Sequence, residues 1–174
     1  FMVVATLERE VKRNYHGLQP AEHALISRDQ RDFLQRLGEF EAPYLEEKLM
    51  QKRIFNSHEE YQEAFTEFKK YVALNKFNGR PITMISEKVD DVWHQFILFT
   101  RQYHEFCNMG LGRYMHHTPT TLNTPSPKNG RLDFVRLYQE IFGDLPEIWK
   151  YDSGKLSGSE ECTAGGGCIC GCNP

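Results

Sequence analysis

Between Ser57 and Gly79 the apolar residues Tyr61, Ala64, Phe65, Phe68, Val72 and Leu74 recur three and four places apart. That spacing lines side chains along one face of an α-helix. Ser57-His58-Glu59-Glu60 has the spacing of a capping box at its start, and Asn78-Gly79 supplies a stop. A long helix with one apolar face cannot stay alone in water, so the remainder of the chain has to cover it. The same period dominates elsewhere and strand-like alternation is scarce, which predicts a mainly α fold. The expected architecture is a single compact bundle of about five to six helices with a long irregular loop and a Gly/Cys-rich C-terminal tail.

Leu7, Val11 and Tyr15 predict a first helix that stops near Gly17. Phe33, Leu34, Leu37 and Phe40 form a stripe that Pro43 breaks before Tyr44, Leu45 and Leu49 resume it, so two pieces are expected there. Ser86 caps the next helix, whose face Val89, Val92, Trp93, Phe96, Ile97, Thr100, Tyr103 and Cys107 runs to Gly110. Residues 113–130, rich in Thr, Pro, Asn and Gly, read as a loop. Leu132, Val135, Tyr138, Ile141 and Phe142 predict a last helix closed by Gly143 and Leu145-Pro146, with Trp149 packing back. After Lys150 the composition shifts to Ser, Gly, Glu and Cys, which divides the chain into a helical domain, 1–150, and a tail, 151–174.

A chain of 174 residues with 40% hydrophobic and 13% aromatic content supports one ordinary core. With 21 basic against 24 acidic residues it has no broad field to draw phosphate backbones, and no nucleic-acid partner is expected. No apolar stretch is long enough to span a bilayer, and Phe1–Leu7 is too short and too quickly charged for a signal peptide, so a soluble, cytoplasmic protein is expected. One cysteine, Cys107, lies in the body while four crowd the last thirteen residues, so no disulfide framework holds the core. Gly-rich phosphate loops, nucleophile elbows, His-Glu-x-x-His and Rossmann fingerprints are absent from the sequence.

Chemistry-bearing side chains gather in Val89-Asp90-Asp91-Val92-Trp93-His94 and in Tyr114-Met115-His116-His117-Thr118-Pro119. Imidazole and carboxylate are transition-metal ligands. A carboxylate one helical turn before an imidazole, as Asp90 before His94, can accept one ring N–H and leave the other nitrogen for a metal. The competing reading has Asp90 solvating the helix start and His94 bonded to a neighbouring loop. His116 and His117 point to opposite sides of an extended backbone, so only one of them is expected to join His94. Trp93 and Tyr103 are candidate walls of a cofactor pocket. Cys107 lies about 19 Å from His94 along an unbroken helix, which makes it a core thiol.

Val89-Asp90, Trp93-His94, Phe96-Ile97-Leu98, Thr100, Tyr103 and Phe106-Cys107, with the later His116-His117 and Pro119, resemble the core signature of the glycine-rich-domain-containing proteins of bacteria and plants. Tyr138, Phe142-Gly143, Pro146 and Trp149 resemble that family's closing segment. Plant members often carry a second histidine two places after the first, where this chain has Phe96, so a ligand pair at those two positions is not carried over. The resemblance implies a fold and the importance of Trp93-His94, and no established reaction.

The tail holds Cys162, Cys168, Cys170 and Cys172. Thiolates at that density suit zinc, copper or an iron–sulfur cluster, and disulfides or free thiols are the alternatives. Three functions are open at this level. One is a helical metal site built from His94 with His116 or His117 and oriented by Asp90, taking zinc, iron or copper. The second is a non-catalytic structural or adaptor subunit whose tail locks to a protein partner or to a second copy. The third is a protein whose tail is itself modified or processed.

Overall fold

A computed structural model describes residues 18–119, 123, 125 and 127–150, together with the backbone of Ile169–Gly171. The first predicted helix, Leu7 to Tyr15, lies outside the described residues. The chain is mainly helical, as its periodicity predicts. The helices are α1 (Arg28–Glu39), α2 (Pro43–Gln51), α3 (His58–Asn78), α4 (Glu87–Leu98), α5 (Thr100–Leu111) and α6 (Gly130–Phe142), followed by a single 3₁₀ turn at Glu147–Trp149. A short strand, β1 (His116–Thr118), pairs antiparallel with β2 (Ile169–Gly171). Among the described residues no helix is long and apolar enough to cross a membrane.

Local signals account for most of the helix ends. Ser27 and Gln30 form a reciprocal capping box at α1, and Pro43 opens α2 at a first-turn position, where its missing N–H costs nothing. Ser57 Oγ accepts from Glu60 N–H, while the Glu60 carboxylate reaches one residue further out, to Asn56 N–H. Gly79 closes α3 at φ 66°, a left-handed conformation that suits glycine.

The expected single helix from Ser86 to Gly110 is corrected to two. At Phe99 the backbone leaves helical geometry, with φ −85° and ψ 62°, and α4 gives way to α5. The cause is tertiary. The indole N–H of Trp93 donates to the Tyr103 hydroxyl over 2.8 Å, whereas ten residues of straight helix would separate the two positions by about 15 Å. The fold at Phe99 also lets Phe96 meet Tyr103 and Phe106, with centroids 5.3 and 5.1 Å apart, and all three rings are fully buried. Burying each such side chain contributes about 1.5–3 kcal/mol.

α3 crosses the centre of this core. Its Phe65, Phe68 and Tyr71 pack against Trp93, Phe96 and Phe106, and its Tyr61 and Val72 are buried as well. On α6 the inner face is Phe134, Tyr138 and Ile141. Leu132, expected on that face, is 70% exposed because it sits two residues before Phe134, on the far side of the helix. Gly130 starts α6 hard against Thr83, where a Cβ would fall 2.0 Å from Oγ1, so only glycine permits that approach.

Two charged groups of α3 are buried in this apolar setting. Glu67 accepts from Trp149 Nε1 (2.6 Å), Tyr138 OH (2.8 Å) and Lys70 Nζ (2.7 Å), pinning the C-terminal turn to the long helix. Lys69 donates to the carbonyls of Gly38 (2.9 Å) and Phe40 (3.2 Å) where α1 ends. Burial pulls the Lys69 ammonium down to about 8.

That depression has a consequence for stability. Between about pH 8 and the ordinary lysine range near 10.4, the unfolded chain binds a proton that the folded chain has released, so stability rises with pH across this window. The rise attributable to Lys69 is up to about 3 kcal/mol. Urea midpoints of the wild type and of Lys69→Met at neutral and alkaline pH should diverge accordingly; equal pH profiles would exclude this origin.

Candidate metal centre

The first turns of α4 and the strand β1 converge on one point. Asp90 and His94 lie one helical turn apart on α4, and the loop beyond α5 returns in an extended conformation to lay His117 beside them. His117 Nε2 stands 2.9 Å from Asp90 Oδ1, and His94 Nε2 stands 3.5 Å from Asp90 Oδ2. The two imidazole centroids are 4.3 Å apart. One donor atom from each of the three residues falls within 4.8 Å of the others, a group able to hold a metal ion.

Burial is graded across the group. The His117 side chain is 5% exposed and that of Asp90 13%, while His94 is 54% exposed and forms the outer lip. His117 is held from behind by Trp93, which meets its ring edge-on at 4.3 Å. Trp93 is in turn fixed by Tyr103, whose hydroxyl donates to the Met115 carbonyl over 2.5 Å. A chain of contacts thus runs from the core through Trp93 to the centre and through Tyr103 to the backbone two residues before His117.

Acidic residues neighbour Asp90 on the same helix. Burial raises the Asp91 carboxyl above the usual carboxylate range; Asp90 and Glu87 add to the rise and His94 opposes it. Asp91 is not one of the three convergent residues.

The parity of the two loop histidines is resolved by β1. His117 turns toward α4, and His116 is exposed, with its ring 4.8 Å from that of Tyr114. Both Asp90–His contacts involve Nε2, so Asp90, read from the sequence as a metal-site residue that orients His94, contacts both imidazoles. Trp93 and Tyr103 are wholly buried, and each engages its polar atom internally. A cavity of about 490 Å³ opens elsewhere, lined by Phe40, Pro43, His58, Phe65 and Lys69 among others, and touches none of the three convergent residues. Cys107 is fully buried, and burial pushes its thiol up. Cys162, Cys168 and Cys172 lie outside the described residues; Cys170 is placed by its backbone in β2.

A family model, UCP032817-like, matches residues 29–139, more than half of the chain and the whole stretch from α1 through the centre into α6. The chain belongs to the UCP032817-like family. This corrects the likeness to glycine-rich-domain-containing proteins drawn from the Trp93-His94 motif, because the matching model is that of a different, uncharacterised family. No curated protein and no solved structure matches the chain. The UCP032817-like match ends before the Gly/Cys-rich tail, and it encloses Asp90, His94 and His117.

Proposed function

We propose that this UCP032817-like protein is a metal-binding helical domain in which Asp90, His94 and His117 hold one divalent transition-metal ion. The observation that carries it is the convergence of one carboxylate and two imidazole nitrogens from separate elements onto one point. Two donors on a single tetrahedral ion, each bonded at the usual zinc distances, stand about 3.4 Å apart. His117 Nε2 and His94 Nε2 stand 2.9 and 3.5 Å from the two oxygens of the Asp90 carboxylate, so small shifts bring all three groups onto one ion. Two histidines with one carboxylate favour zinc or iron(II) and also accept copper, whereas magnesium and calcium prefer oxygen donors throughout.

An ion so held supplies Lewis acidity and can lower the pKa of a bound water. The protein's own part is to place the donors. Burial of His117 against Trp93 fixes one ligand, the α4 backbone fixes the spacing of Asp90 and His94, and the exposed side of His94 leaves the centre reachable from solvent.

Plasma mass spectrometry on the purified full chain tests the proposal. Wild type should carry one equivalent of metal, and Asp90→Ala, His94→Ala and His117→Ala should each lose it. Outer-shell substitutions already cost about 10–100-fold in affinity, so removal of a ligand should cost at least that. Far-ultraviolet circular dichroism would check that the variants keep their helices. Metal content unchanged in all three variants, or none in the wild type after reconstitution with zinc or iron(II), would refute it.

A further inference from the structure

We infer that the cavity where α1, α2 and α3 meet binds an apolar α-amino acid, with Lys69 taking its carboxylate and Glu41 its ammonium. The cavity, of about 490 Å³, opens where α1 ends and α2 begins, and successive turns of α3 line it with His58, Phe65 and Lys69. Lys69 is 4% exposed, and its ammonium carries three N–H donors. Two of them go to the carbonyls of Gly38 and Phe40, and among the described residues no carboxylate stands within ion-pair distance of it. Capping the end of α1 explains those two bonds. It does not supply the counter-ion that a buried cation calls for. The Phe65 ring, 5.0 Å from Nζ, offers a weak attraction and no negative charge. An anion entering the cavity would complete the pairing.

Glu41 decides which anion. It follows Phe40 directly in the chain, lies on the exposed rim of the cavity, and its charge acts on Lys69 from beyond bonding distance. Among the described residues its carboxylate has no hydrogen bond or ion pair, whereas Glu46, the other acid of the cavity, is held by His58 at 2.6 Å. A simple carboxylate drawn to Lys69 meets the repulsion of Glu41. A molecule with an ammonium on the carbon beside its carboxylate meets attraction from both. Neighbouring charges of opposite sign on the protein thus match neighbouring charges of opposite sign on the ligand. Its side chain then lies against Phe40, Ala42, Pro43 and Phe65, an apolar wall that favours an apolar amino acid.

Isothermal titration of the full chain tests this with leucine, leucinamide and isocaproate, the last two keeping the side chain and each lacking one charge. Leucine should bind with one equivalent and each analogue about 10-fold or more weakly, the loss expected for one hydrogen bond between charged groups. Glu41→Gln, on the exposed rim, should weaken leucine by a similar factor while isocaproate binds no worse. Lys69→Met should lose both, with circular dichroism to check its helices; should that variant not fold, Glu41→Gln and the analogue series still decide. No binding of leucine, isoleucine, methionine or phenylalanine, equal binding of leucine and isocaproate, or a leucine affinity unchanged in Glu41→Gln overturns the inference. The cavity touches none of Asp90, His94 and His117, so either result leaves the metal-binding proposal to its own test.

Discussion

Replacing Trp93 with alanine should destabilise the fold by about 3–5 kcal/mol and detach His117 from the centre. Trp93 is fully buried where the core meets the site, with Phe68 and Tyr71 on one side at 6.1 and 5.6 Å and His117 on the other at 4.3 Å. Its loss leaves a cavity and removes the donor to Tyr103 that holds α5 folded back on α4. Trp93→Phe separates the two contributions. An aromatic ring remains, while the N–H and part of the indole volume are lost, so the expected cost falls to about 1–3 kcal/mol. Chemical denaturation of both variants measures the stabilities, and metal titration measures the coupling. A Trp93→Ala protein of wild-type stability, or one that binds metal unchanged, would show that the indole supports neither the core nor His117.

The second large effect belongs to Glu67. Glu67→Ala should cost about 3–5 kcal/mol, because Trp149, Tyr138 and Lys70 all aim donors at a carboxylate that would no longer exist. The phenol of Tyr138 already lies well above its usual range through burial and the neighbouring Glu67 charge. Glu67→Gln preserves shape and most hydrogen bonding but leaves the Lys70 charge without its counter-ion, and should cost less. The cluster is some distance in sequence from the metal-site residues and uses none of them, so metal affinity per folded chain should stay unchanged in Glu67→Gln. Thermal melts together with cobalt titration would check both halves; an undisturbed melt in Glu67→Ala would mean that the three donors find other acceptors at no cost.

Much of the fold was legible in particular residues. Pro43, Ser57, Gly79 and Ser86 act through local steric and hydrogen-bonding effects, and each marks the helix end its type predicts. The break at Phe99 carries no such mark: Phe96-Ile97-Leu98-Phe99-Thr100 continues an apolar stripe with neither proline nor glycine. Only the pairing of Trp93 with Tyr103, and of Phe96 with Phe106, makes bending there favourable. Glu67 was likewise hidden, since one carboxylate on a long helix reads as solvated until three distant donors are brought onto it. Leu132 shows the converse, an apolar residue whose place on the helix faces water.

The centre divides the same way. From the sequence alone came the helical class, the gathering of Asp90, His94, His116 and His117 in α4 and the loop after α5, and the rule that adjacent loop histidines diverge. These follow from period, composition and backbone alternation, which need no partner. Which histidine meets α4, that Asp90 contacts both imidazoles, and that β2 pairs with β1 at Cys170 and His117 were decided by tertiary structure. Each depends on the register of a strand against another element, and register is fixed by packing between segments that the linear order leaves far apart.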